Sequence, residues 1–240
     1  RNDGSQKVTF ITHCPECGTQ LVNIEGETAW YCPNTLGSPP QIKGRIEHFI
    51  SRKAMNIESL GEGKVEVLFD NNLIKDYSDL YNLKYNDIFG LEKIIVVDAG
   101  KENIVRKVSF KEKTANNIID AIEKSKNIPF ARVLFALGIK YVGETTAKLI
   151  AKAMGSIDNI INASVEELTE IEEVGEKIAI SIKDFFNDER NIHIINRLKE
   201  AGLQFEQNKN VQDETSSSNI LSGMSIVVSG VFSTMSRDEI

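Results

Sequence analysis

The chain has 240 residues, 41% hydrophobic and 26% charged, with aromatics at 7% and a single Trp, Trp30. That is ordinary globular composition, enough for one large or two to three small domains whose cores lean on aliphatic side chains. The net charge of −7 argues against a broadly basic surface for nucleic acid; no apolar run reaches membrane-spanning length, no signal peptide opens the chain, and three cysteines make no disulfide framework.

Arg1 reads as the start of a piece cut from a longer protein, and residues 1–12 as a strand tail from an upstream domain. Residues 13–44 form a small module containing Cys and Pro, with extended stretches near Leu21–Ile24 and Thr28–Cys32. Cys14-Pro15-Glu16-Cys17-Gly18 is a knuckle spacing in which two thiolates hold one zinc from a tight turn. Cys32-Pro33-Asn34 opens a second knuckle, and a fourth Cys is expected about five residues on, where Gly37 stands. The metal set is therefore Cys14, Cys17 and Cys32, with His13, His48 or water open as the fourth ligand. The alternative is a decayed zinc site held together by Trp30, Tyr31 and prolines. Clustered thiols of this kind point to a reducing compartment.

Residues 45–206 read as helices joined by short turns, with periodic apolar positions in Ala115–Ser125, Phe130–Leu137, Thr145–Met154 and Ile178–Phe186. One pattern recurs there: an apolar residue, Gly, usually Glu, two variable positions, then a small or apolar residue. It appears as Leu60-Gly61-Glu62-Gly63-Lys64-Val65, Val142-Gly143-Glu144-Thr145-Thr146-Ala147 and Val174-Gly175-Glu176-Lys177-Ile178-Ala179. A degenerate copy, Phe110-Lys111-Glu112-Lys113-Thr114-Ala115, has Lys in the Gly position. The longer gap after the first copy is ascribed to an insertion at Ile94–Val108.

Each copy reads as helix, tight hairpin, helix, with Ile57, Ile139 or Ile171 shortly before three of them. The glycine is expected to allow a sharp turn and close approach of another backbone. The helix that follows presents N–H groups with no internal partner, aligned with the helix dipole and suited to a phosphate oxygen. Gly61, Gly63, Lys64, Gly143, Thr145, Gly175 and Lys177 are the candidate DNA-binding residues, and Ala147 and Ala179 let paired helices pack closely. Four such units in phase make two pseudo-symmetric pairs around a duplex, holding phosphates without reading sequence. The acidity of the chain is then accommodated by placing Glu166, Glu167, Glu170, Glu172 and Glu173 on outer helix faces. Glu62, Glu144 and Glu176 serve the first helical turns.

Residues 207–218 read as a solvated linker. Leu221–Gly230 reads as a strand, and Ser236-Arg237-Asp238-Glu239 as a capping box opening a helix. One strand and one helical turn bury no core, so residues 219–240 are expected to be poorly ordered or docked on a neighbour.

The ordered set of a CPECG knuckle, AWYCPN, HFISRKAMNIESLGEG, DLYNL, IPFARVLFALGIKYVGETTAKLIA, EEVGEKIA and a final LSGMSIVVSG before MSRDEI resembles bacterial NAD-dependent DNA ligase over nearly the whole chain. The resemblance implies a mainly α fold: a zinc-finger-like module (13–44), a four-motif helix-hairpin-helix DNA-binding domain (45–206) and a truncated α/β BRCT start (219–240). It implies nick sealing, through a lysine adenylated by NAD and with magnesium supporting the phosphoryl chemistry. That lysine belongs to a Lys-x-Asp-Gly motif, and Arg1-Asn2-Asp3-Gly4 lacks it, so NAD and Mg enter only through domains elsewhere and no residue here is catalytic. The fragment by itself is expected to be inactive. Nicked duplex DNA is the implied partner, with no membrane, a monomeric state, and a bacterial cytoplasmic, nucleoid-associated location. Two departures stand out: Gly37 in place of the fourth Cys, and Lys111 in place of the second glycine. A helix-hairpin-helix glycosylase or nuclease would need a catalytic Lys or Asp or a nuclease domain, which this chain does not offer. A non-enzymatic DNA-binding or protein-interaction scaffold is the other alternative.

Overall fold

The computed structural model describes residues 10–23, 28–98 and 103–207; in 94–98 and 103–106 it describes the backbone alone. The expected linker beyond Gln207 and the expected strand and helix in 219–240 lie outside the described residues, as do residues 1–9 of the expected upstream tail.

The fold is mainly helical, as its sequence implies. Two short strands, β1 (Val22–Asn23) and β2 (Trp30–Tyr31), pair antiparallel in the cysteine module, Val22 opposite Tyr31. Then follow α1 (Pro39–Ile50), α2 (Glu62–Asp70), a 3-10 turn (Tyr77–Asn82) and α3 (Tyr85–Ile88). Next come β3 (Glu92–Asp98), β4 (Asn103–Ser109), α4 (Glu112–Ser125), α5 (Phe130–Ala136), α6 (Glu144–Met154) and α7 (Ile157–Asn162). α8 (Val165–Thr169), α9 (Glu176–Asn187) and α10 (Glu189–Glu200) complete the order.

Four helix pairs pack together: α1 with α2, α3 with α4, α5 with α6 and α8 with α9. Counted from Gly61, Lys111, Gly143 and Gly175, the preceding residue (Leu60, Phe110, Val142, Val174) is buried in every copy. So are the residues four further on (Val65, Ala115, Ala147, Ala179) and seven further on (Leu68, Ile118, Ile150, Ile182). This 4-and-7 spacing is one face of an α-helix, and all four faces enter one core. The small side chains at 147 and 179 are fully buried, as close helix packing requires.

The second pair is interrupted by an antiparallel ribbon in which Glu92 faces Ser109 and Asp98 faces Asn103. This is the expected insertion, two residues longer at its start and one at its end. Lys93 ties the ribbon to α2 through Asp70 and, at 3.3 Å, Glu66. Local signals set the remaining boundaries. Ser164 and Glu167 form a capping box on α8, the Asp188 side chain accepts from Arg190 N at the start of α10, and Gly155 and Gly202 take positive φ where α6 and α10 end. The chain after α10 turns back: Ile157 N donates to Phe205 O at 2.9 Å and Gln207 N to Gly155 O at 2.7 Å. Gln207, expected as the first linker residue, is therefore tied to the helical core.

Candidate nucleic-acid interface and cysteine centre

Gly61, Lys111, Gly143 and Gly175 occupy one structural position, the N-cap of α2, α4, α6 and α9. Their φ lies between −111° and −73° with ψ near 180°, extended backbone open to any residue, and none has a side-chain cap. This corrects the expectation that glycine supplies the sharp turn. The left-handed residue of each glycine hairpin comes two positions earlier, at Ser59 (φ 63°), Tyr141 (φ 65°) and Glu173 (φ 63°). Among the described residues nothing packs on these glycines either, because a Cβ built on Gly61, Gly143 or Gly175 meets nothing within 4 Å. Lys111 shows that the same geometry carries a long side chain. Neither conformation nor packing within the chain thus calls for glycine, and what its absence of side chain leaves open is access to the first N–H groups of each helix.

Gly61, Gly143, Thr145, Gly175 and Lys177 are exposed; Gly63 and Lys64 are partly buried. Lys64 Nζ donates to the Ser59 carbonyl within the first hairpin at 2.5 Å, and burial lowers its pKa. Glu144 in the first turn of α6 is paired with Lys148 at 2.8 Å and Lys53 at 3.8 Å, and its carboxyl is held below the usual range chiefly by Lys148. Arg132 donates to the carbonyls of Arg52 at 2.6 Å and Lys53 at 3.2 Å. These contacts join the first hairpin to the third. Glu172 and Glu173 are exposed, yet they lie in the fourth hairpin itself and not on a distant helix face.

Arg52, Lys53, Lys140 and Tyr141 were not singled out in the sequence. Their signal was present as the basic pair before the first hairpin and as Lys-Tyr immediately before Val142, but a basic dipeptide on a helical chain is usually only a solvated face.

In the cysteine module the three Sγ atoms lie within 4.8 Å of one another, with Cys17 and Cys32 3.5 Å apart. Thiolates around one zinc at about 2.3 Å stand roughly 3.8 Å apart, so the cluster fits a shared ion. The thiols are free. Hydrogen bonding to the Thr19 side chain, then to its backbone, lowers the Cys17 thiol to about 6, while burial raises Cys32. Among the described residues of 10–37, Cys14 alone is buried. Trp30 is 58% exposed and Tyr31 39%, so those two rings bury little of the module.

His13 and His48 do not join the cluster. His13 is exposed, with Nδ1 3.0 Å from Thr12 Oγ1, and His48 Nε2 is engaged with Phe135 O at 2.9 Å in the helical core. Position 37, where the fourth Cys was expected, holds Gly37, and a Cβ there would meet the flexible Asn34 carboxamide, with Nδ2 at 2.7 Å and Cγ at 2.9 Å. Asn34 Nδ2 in turn reaches Thr19 Oγ1 at 3.5 Å. The neighbouring Ser38 is 2% exposed, N-caps α1 and makes no side-chain cap.

Residues 13–37, the span of this cluster, match the C4 zinc finger domain of NAD-dependent DNA ligases. Residues 132–195, holding the third and fourth hairpins, match a helix-hairpin-helix motif family. A DNA ligase of Phocaeicola vulgatus is 50% identical over 233 residues, covering 97% of this chain and 32% of that protein. Over nearly its whole length this chain is similar to DNA ligases, and in residues 13–37 to those that depend on NAD. A DNA ligase of Bacteroides fragilis is 50% identical over 234 residues, 98% of this chain and 32% of that protein. One from Flavobacterium psychrophilum is 48% identical over 240 residues, 100% of this chain and 33% of that protein. The chain spans about a third of the length of these curated ligase relatives. Among the described residues, no helix is long and apolar enough to cross a membrane.

Proposed function

We propose that this chain is the duplex-holding part of an NAD-dependent DNA ligase that seals single-strand nicks in replication and repair. The observation that carries the reading is the set of three uncapped helix N-termini fronted by glycines that the fold itself does not need. A phosphodiester oxygen is the ligand that such N–H groups suit, and a side chain at the N-cap would stand in its way. Gly61, Gly63, Gly143, Thr145, Gly175 and Lys177 form the holding surface, with Lys64 hydrogen-bonded within the first hairpin. The second hairpin, with Lys111 at its N-cap, supports the stack more than it holds phosphate.

Cys14, Cys17 and Cys32 hold one zinc, which supplies the cross-link that a module without an apolar core needs. In this reading residues 13–44 are the zinc module, 45–206 the DNA-binding domain and 207–218 the linker, flanked by the end of an upstream domain (1–12) and the start of a BRCT domain (219–240). NAD and magnesium act on other parts of the ligase, so this chain alone is inactive in sealing. It works as a monomer in the bacterial cytoplasm, associated with the nucleoid.

Titration of a labelled nicked duplex at increasing salt tests the reading. The expected result is sequence-independent binding at low salt with a slope of only a few phosphates, because backbone amides carry much of the contact. Absence of binding at low salt would reject it in favour of a protein-binding scaffold.

A further inference from the structure

The three thiols of the cysteine module differ in their settings. Cys14 is 8% exposed and sits in the turn of the first knuckle, where its N–H donates to Thr19 O at 2.8 Å and its carbonyl accepts from Gly18 N at 2.9 Å. Cys17 and Cys32 are partly exposed, and their sulfurs stand 3.5 Å apart although they are 15 positions apart in the chain. All three thiols are free. The spacing of Cys14 and Cys17 by itself points to a bond within the first knuckle. The fold instead brings together the partly exposed thiol of each knuckle.

Two sulfurs this close need little movement to reach the roughly 2.05 Å of a disulfide. The bond requires a two-electron oxidant, and a peroxide is the class that reacts with an accessible thiolate beside a second one. One thiolate of the pair attacks the O–O bond and becomes a sulfenic acid, and the hydroxide that leaves takes up a proton. The other thiolate attacks that sulfur, forms the S–S bond and displaces a second hydroxide, which also takes up a proton. Two electrons pass from the sulfurs to the peroxide, and two waters result. Among the described residues of 10–37 only Cys14 is buried, so the oxidant reaches the pair and little packing resists the rearrangement.

We infer that Cys17 and Cys32 form a reversible redox switch on the module: a peroxide joins them in a disulfide, and the zinc they share with Cys14 is released. The inference rests on the zinc reading given above and adds a reaction to it. The disulfide withdraws two of the three thiolates, and the single thiolate of Cys14 does not retain the ion. Cys14 stays a free thiol. The Cys32 carbonyl accepts from Gln41 Nε2 in α1 at 2.9 Å, which places the switch against the first helix.

The test treats the zinc-loaded full chain with a small excess of hydrogen peroxide and follows released metal with a chromogenic chelator. Free thiols are then alkylated, and the chain is cleaved without reduction after Glu16, Glu25 and Glu27, which places the three cysteines in separate peptides. The expected result is release of about one zinc per chain, a linked pair of Cys17 and Cys32 peptides, and an alkylated Cys14. A dithiol reductant with added zinc restores the starting state. Cys14→Ser, which lacks the third thiol, is expected to form the same pair. A Cys14–Cys17 bond, or metal release with no disulfide, overturns the assignment. So does full retention of zinc by the treated chain. A chain that carries no zinc as purified refutes the zinc reading instead, and the peptide map still decides whether Cys17 and Cys32 pair.

Discussion

Arg197 in α10 donates from Nη2 to Asp79 Oδ1 at 2.6 Å, joining that helix to a 3-10 turn 118 residues earlier. Asp79 also accepts from the backbone N–H of Lys75 at 2.6 Å and Asp76 at 3.1 Å. Burial on its own raises the Asp79 carboxyl; Arg197 and the two N–H groups outweigh it and hold the group below its usual range. A depressed folded-state pKa contributes stability that is complete above the unfolded value, about 3.9, and is lost as pH falls through the lower folded value. Asp79→Asn is expected to destabilise the helical core by about 1–3 kcal/mol at pH 7. Urea denaturation at pH 7 and at about pH 3 measures this. The gap between parent and variant narrows at the acidic pH, and an unchanged gap would contradict the ionic origin.

The Asn34 carboxamide fills the space beside Gly37, so Gly37→Ala is expected to displace Asn34, disturb its contact with Thr19 and lower zinc retention. Competition against a chromogenic chelator compares the variant with the parent. Equal retention in both would remove Asn34 from the account.

The hairpin glycines separate binding from stability. Gly143→Val and Gly175→Val place side chains in open space on extended backbone, so thermal unfolding is expected to shift by only about 0.5 kcal/mol equivalent. Duplex affinity is expected to fall on the order of tenfold, because the new side chain stands over the helix N–H groups. Lys111→Gln is expected to act as the loss of a single charge. Large and equal affinity losses at Gly61, Lys111, Gly143 and Gly175 would contradict that ranking.

Metal removal provides a further separation. Among the described residues of 10–37 only Cys14 is buried, whereas the helical core is extensive. A chelator is expected to unfold the module and leave the helices intact. Trp30, the single Trp of the chain, lies in β2 and reports on the module alone. Its fluorescence anisotropy should drop on chelation while far-ultraviolet circular dichroism changes little. Loss of helix in parallel would show the two parts to be one cooperative unit.

The four helix-hairpin-helix units and the presence of an insertion within the second were legible in the residues, because their determinants are local; that the insertion is a paired ribbon was not read from them. An apolar residue before Gly61, Gly143 and Gly175 and apolar residues four and seven after them mark a helix face. The Cys14, Cys17 and Cys32 set was legible for the same reason, since a knuckle brings its own ligands together by spacing. What glycine is for at 61, 143 and 175 was not legible: only the backbone angles move the sharp turn to Ser59, Tyr141 and Glu173 and leave the glycine surface open. The meetings of Lys53 with Glu144 and Lys140 with Tyr31 likewise belong to the tertiary structure. Those pairs join parts of the chain far apart in sequence, and how such parts stack is decided by the shapes of buried faces that no short stretch of the chain encodes.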